Sequence, residues 1–350
     1  TPTPTPACAP GGTAIVSPPA VGRTPAATAT ADPADPVAAS RRGHPPRLGR
    51  GAPVSGAPDI FDGSEARILD RGYRHYDGER SGVAGAIRSV VRHSVQRGLG
   101  LRRSIWAKVP PVLTAFIAYV PAIIFVGVVA LVPARNLVDF VLPSYGEYYG
   151  YVISAILLFV AFAAPEMLCT DRRSGMLGIY LASPLNRDTY LLAKGLAVAA
   201  TLSIVCIGPP LLMLVANVLQ SQGPTGVGDI LDTLLRVLVA GTMITLLFTS
   251  VTMGVASLTD RKSIATAGII LFLLMSVMVA GMFSAATGSD LPLLGSVVTL
   301  SLDLGPRIHG DRVVDPLDVP NATVYLVWLG WTVAGFALAR LRLHALPVTR

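Results

Sequence analysis

Six long apolar runs limit what this chain can fold into: Val109–Val132, Tyr148–Leu168, Leu191–Leu219, Ile230–Leu258, Ile264–Thr287 and Ala322–Ala339. A helix of about 17–25 apolar residues crosses the ~30 Å hydrocarbon of a bilayer, and each run reaches that length. Lipid offers a backbone no hydrogen bonds, so each run must be a helix that satisfies its own peptide groups. The other solution, a closed barrel, needs alternating strands of about ten residues, and these runs do not alternate. With 52% hydrophobic and 14% charged residues, against about 25% charged in an ordinary soluble domain, a soluble globular protein is excluded. The expected fold is all-α: a polytopic membrane protein with six transmembrane helices.

Charge gives the orientation. Of 28 basic residues, 15 lie before residue 109 beside 8 acidic ones, and the remainder of the chain holds 13 of each sign. Arg88, Arg92, Arg97, Arg102, Arg103 and Lys108 precede the first run. Arg172, Arg173 and Arg187 lie between the second and third, with Lys194 in the first turn of the third, Arg261 and Lys262 lie between the fourth and fifth, and Arg340, Arg342 and Arg350 after the sixth. The other connections carry Arg135 alone, no basic residue over 220–229, and two arginines against five aspartates over 288–320. Basic loops stay on the cytoplasmic side, so both termini are expected there. The 25 arginines against 3 lysines fit a GC-rich bacterial genome, hence a multi-pass protein of the bacterial cell (inner) membrane. A basic end on a neutral apolar body suits anionic lipid headgroups better than nucleic acid.

Three regions follow. Residues 1–58 form a Pro/Ala/Thr-rich tail with 13 prolines and no aromatic residue, too poor in apolar surface to offset chain entropy and expected to be disordered. Residues 59–108 are a cytoplasmic lead-in containing an amphipathic helix over Ala84–Ile105. It carries Ile87, Val90, Val91, Val95, Leu101 and Ile105 on one side and Arg92, His93, Arg97 and Arg103 on the other. Such a helix next to a span is expected to lie in the membrane interface. Residues 109–345 are the six-span domain. Its outer loop 288–320 holds an apolar stretch, Leu291 to Leu304, too short to span and expected to be re-entrant or interfacial.

Several chemistries are absent from the sequence. There is no G-x-x-x-x-G-K-[ST] phosphate loop and no H-E-x-x-H, and the five histidines are scattered, so no catalytic, cofactor-binding or metal-binding residue is expected. Cys8, Cys169 and Cys206 suggest neither a disulfide framework nor a metal site. Ionisable groups inside a span are costly and usually functional. Here they are few, with Glu166 at a span end and the i,i+4 pair Asp232 and Arg236 near the other side. No carboxylate sits at a span midpoint, against an ion-coupled secondary transporter. Gly208-Pro209-Pro210 should kink the third span.

The connection 165–194 is too long for a tight turn. It reads Glu166, then Asp171-Arg172-Arg173-Ser174-Gly175, a short apolar helix Met176-Leu177-Gly178-Ile179-Tyr180-Leu181, then Pro184-Leu185-Asn186-Arg187, Tyr190 and Lys194. This segment resembles the coupling loop of ATP-binding cassette permeases of the second exporter type. Arg71–Arg80 also resembles an N-terminal stretch of actinobacterial members, and the likeness covers about residues 67–345. It implies that loop 169–190 docks on a separate cytoplasmic ATPase, with Glu166, Asp171, Arg172, Arg173, Gly175, Tyr180, Pro184 and Arg187 in the family's places. Tyr180 is the expected anchor, being aromatic and mid-segment with the apolar Met176 and Leu177 one turn before it on the same helical side. The resemblance also implies a second permease copy or paralogue, and ATP and Mg bound by the partner ATPase rather than by this chain. The expected function is the permease subunit of an ATP-binding cassette transporter, exporting an apolar or amphipathic substrate. The alternatives are an ion-coupled secondary transporter and a structural membrane anchor of a larger complex.

Overall fold

The computed structural model describes residue 78 and residues 82–101, 104–131, 143–224, 226–310 and 317–345, all within one compact unit, Tyr76–Arg350. The tail 1–58, the Arg71–Arg80 motif apart from Gly78, and Arg102, Arg103, Arg135, Arg312 and Arg350 lie outside the described residues.

Among the described residues every regular element is a helix. In order they are α1 (Gly82–Gly98), α2 (Ile105–Leu131), α3 (Tyr148–Arg173), α4 (Met176–Ala182), α5 (Arg187–Cys206), α6 (Gly208–Leu219), α7 (Val227–Ala256) and α8 (Lys262–Thr287). A 3₁₀ turn (Leu291–Gly295), α9 (Val297–His309) and α10 (Asn321–His344) complete the fold. Six segments are long and apolar enough to cross a membrane: α2, α3, α5 with α6, α7, α8 and α10. Their ends run past the apolar runs, as in α3, which continues from Leu168 to Arg173. Backbone bonding persists into the polar border, whereas hydropathy marks only the oily centre. The end bearing Arg97, Asp171, Arg172, Lys262 and Arg340 is called the charged end below.

α3 is the hub. Of its apolar window 72% is buried, against 17% for α8 and 22% for α2 and α10, so those three helices keep broad faces outside the bundle. Tyr148, Tyr149, Ile156 and Phe159 of α3 join Ile244, Leu247 and Phe248 of α7 in the main core. α7 and α10 approach most closely at Gly335, where a Cβ would stand 2.5 Å from the Ser250 carbonyl carbon and oxygen. Ser250 and Gly254 form the opposing pair of small residues, the spacing that lets membrane helices touch through their backbones.

The Gly208-Pro209-Pro210 sequence breaks the third span into α5 and α6 at Ile207. Pro209 and Pro210 have no N–H, so the carbonyls of Val205 and Cys206 lose their usual helical donors. Tyr149 Oη donates to the Cys206 carbonyl at 3.2 Å, and Tyr119 Oη donates to Ile204 in the same turn at 3.1 Å. Tyr149 thus supplies a hydroxyl where Pro210 removes an amide, as a low-dielectric interior requires, and Tyr119 adds a second bond to the adjoining turn.

α1 differs from the expected Ala84–Ile105 helix. It stops at Gly98, and Ile105 instead begins α2. The reversal uses Gly100 in the left-handed region (φ +69°), where a Cβ would also stand 2.5 Å from the Ala107 carbonyl oxygen. The apolar stripe turns toward protein: Val90 joins Leu185 and Ala193, and Val91 and Val95 pack against Met167 and Val198.

At the opposite end, Leu294 of the 3₁₀ turn and Val297, Leu300 and Leu304 of α9 are buried. The hydroxyl of Ser296 caps α9 by accepting from the Thr299 amide at 3.2 Å. The Asp232–Arg236 pair forms at 2.7 Å, and Arg236 also donates to the His309 carbonyl at 2.6 Å, holding the last turn of α9 to α7.

Candidate functional site

Asp171 lies within the last turn of α3 and is fully buried. Its carboxylate meets Arg97 Nη1 of α1 at 2.7 Å and Lys194 Nζ of α5 at 2.5 Å, and accepts from the Tyr190 hydroxyl at 3.2 Å. Lys194, itself buried, also donates to Ser94 Oγ of α1 at 2.8 Å. Its ammonium lies 5.5 Å from the ring centre of Tyr180 and 5.6 Å from that of Tyr190, within the range of a cation–π attraction. Charges removed from water persist only when paired and hydrogen-bonded, and this cluster meets that condition by drawing on three helices.

A second set surrounds the first. Glu166, one turn before Asp171, pairs with Lys262 at the start of α8 and lies 3.9 Å from Arg97. Arg172 pairs with Asp260 at 2.7 Å and donates to the Ser257 carbonyl just past α7 at 2.6 Å. Arg187 donates to the carbonyls of Leu343 and His344 at 3.0 and 2.6 Å. These are the last residues of α10, where a cation suits the negative end of the helix.

The resemblance therefore named residues that the fold uses in two ways. Glu166, Asp171, Arg172 and Arg187 bind helix ends together. Arg173, Gly175 and Pro184 are exposed, and Met176 and Leu177 are half-buried. α4 begins where Gly175 adopts φ +69°, the left-handed conformation that reverses the chain after α3. Tyr180 turns inward: its ring lies 5.5 Å from that of Tyr190, and it packs against Val90, Leu185 and Ala193. Burial pushes its phenol above the ordinary value, and the nearby Asp171 adds to the shift. The large apolar side chain that α4 leaves outside is Ile179, 65% exposed.

Sequence reasoning did not anticipate that Ile179 is the exposed large apolar side chain of α4, nor the partners Ser94, Arg97 and Lys262. One signal was available, because Lys194 is a lone cation inside an apolar helix and needs a buried counter-charge. Among the described residues no group of His, Cys, Asp and Glu is arranged to hold a metal ion.

No curated protein matches the chain. Residues 132–301, which include α3, α4 and α5 with the buried Asp171–Lys194 pair, match the model of a family described as ABC-2 family transporter protein. Together with the six helices long and apolar enough to cross a membrane among the described residues, the match supports reading this chain as a multi-pass membrane protein similar to ABC-2 type permeases, a class that works with an ATP-binding cassette ATPase.

Proposed function

We propose that the chain is the transmembrane subunit of an ATP-binding cassette exporter and that α4 receives the ATPase. The observation that carries this reading is the placement of α4. It is a seven-residue helix at the charged end, with Ile179 65% exposed on its outer side and Tyr180 held inward over the Asp171–Lys194 pair. A push on Ile179 would pass through Tyr180 into α5 and, through Asp171, into α3 and α1. The charged end is then cytoplasmic, as its basic residues favour, and α1 lies where protein meets headgroups. ATP and Mg belong to the ATPase. The broad outer faces of α2 and α8 suit a second permease copy, and the apolar spans suit an apolar or amphipathic cargo.

The test is retention of the ATPase by the permease in mild detergent. Ile179→Asp should weaken it by about 1–3 kcal/mol, as loss of an interface anchor does, with the permease still monodisperse. Tyr180→Phe, which keeps the inward ring, should leave retention intact. Unchanged retention with Ile179→Asp would remove α4 as the docking element.

A further inference from the structure

Away from the Asp171 cluster, α5, α7 and α10 enclose an apolar groove of about 690 Å³ on the outside of the bundle, within the size range of small-molecule sites. Leu192, Leu196, Leu246 and Phe336 are among its walls, and Asp188 and Arg340 stand at its mouth at the charged end. Two observations separate it from an ordinary gap between helices.

The first is inside. Thr249 lines the groove and is fully buried, yet its hydroxyl has no hydrogen-bond partner among the described residues. Ser250 and Thr252 of the same helix bond internally, to the Leu247 carbonyl at 2.8 Å and to Phe248 at 2.6 Å, while Thr245, one turn earlier and outside the groove, also lacks a partner among the described residues. An unsatisfied hydroxyl in an apolar site is costly, and a ligand with a polar atom at that depth would relieve it. Thr249 lies seven residues inside the end of α7, about 10 Å of helix.

The second is the mouth, which carries both signs of charge within one hydrogen-bonded group. Arg340 Nε and Nη2 donate to the two oxygens of Asp188 at 2.8 and 3.0 Å, and His344 Nε2 lies 3.0 Å from Oδ1. Arg340 and Asp188 remain exposed, and a guanidinium has five N–H donors and a carboxylate about four acceptor positions. Arg340 can therefore still grip a phosphate while Asp188 receives an ammonium.

We infer that this groove binds one phospholipid with a phosphoethanolamine headgroup, taken from the leaflet at the charged end. Its phosphate sits on Arg340, its ammonium on Asp188, an acyl chain lies along Leu192, Leu196 and Phe336, and an ester carbonyl accepts from Thr249. A choline head cannot donate to Asp188. A glycerol head brings no cation to it.

Native mass spectrometry of the purified full chain, offered equal amounts of dioleoyl phosphatidylethanolamine, phosphatidylcholine and phosphatidylglycerol, tests this. One ethanolamine lipid per chain should be retained at least fivefold over the other two. Asp188→Asn should erase that preference. Thr249→Val should lower ethanolamine-lipid retention about threefold without changing the order of preference. Ala337→Trp, which fills the groove, should abolish it; if that variant does not fold, the two polar substitutions decide alone. Equal retention of the three lipids by the wild type, or an undiminished preference in Asp188→Asn, overturns the proposal. So does a lipid-free dimer that Ala337→Trp breaks, which would put a second copy in the groove.

Discussion

The Tyr149 hydroxyl donates to the Cys206 carbonyl across the α3–α5 contact at 3.2 Å, four residues before Pro210, whose nitrogen cannot. An orphaned buried carbonyl costs about 1–3 kcal/mol. Tyr149→Phe should lower the thermal midpoint of the detergent-solubilised protein by that equivalent. Pro210→Ala offers the missing amide and should recover part of the loss in the double variant. Losses that simply add would show that the hydroxyl and the proline are unrelated.

Asp171 is the only carboxylate among the described residues that reaches Lys194, which is itself 1% exposed. Asp171→Asn leaves a buried ammonium without its counter-charge, and breaking a buried pair from one side costs roughly 3–5 kcal/mol. Replacing both, as Asp171→Asn with Lys194→Met, should cost less than the two single changes together. Unfolding measured across that cycle gives the coupling directly.

At the α7–α10 crossing, Gly335→Val should separate the helices, because its first side-chain carbon would fall 2.5 Å from the Ser250 backbone. The expected result is loss of the monodisperse species on size exclusion. Gly330→Val should be tolerated, since a Cβ there meets nothing within 4 Å. Equal behaviour of the two would refute the close approach.

The proposed orientation is checked with single cysteines and an impermeant thiol reagent. Ser144, Gly223 and Gly310 should label from outside intact cells. Ser174 and Ser263 should label only after lysis. With Cys8 replaced by serine in every variant, the native Cys169 and Cys206 are buried and should stay silent. Labelling of Ser174 in intact cells would invert the topology and remove α4 from the ATPase side.

Apolar length alone determined that Tyr148–Leu168, Ile264–Thr287 and the described parts of the other runs are helices. In lipid the backbone has no other way to bond than within a helix or a closed barrel, and local sequence decides between them. The break at Pro209 and Pro210 was legible for the same reason, since proline lacks its amide in any context. The tertiary structure decided what answers those local facts. It brought Tyr149 and Tyr119 to the broken turn, turned the stripe of α1 onto Met167 and Leu185, and ended that helix at Gly98. It also buried Asp171 between Arg97 and Lys194, at sequence separations of 74 and 23 residues. In the sequence, Tyr180 was the natural anchor of α4 because aromatic residues dominate interfaces. Which face of a seven-residue helix looks inward depends on what stands beside it, and the ring of Tyr190 and the ammonium of Lys194 drew Tyr180 in and left Ile179 outside.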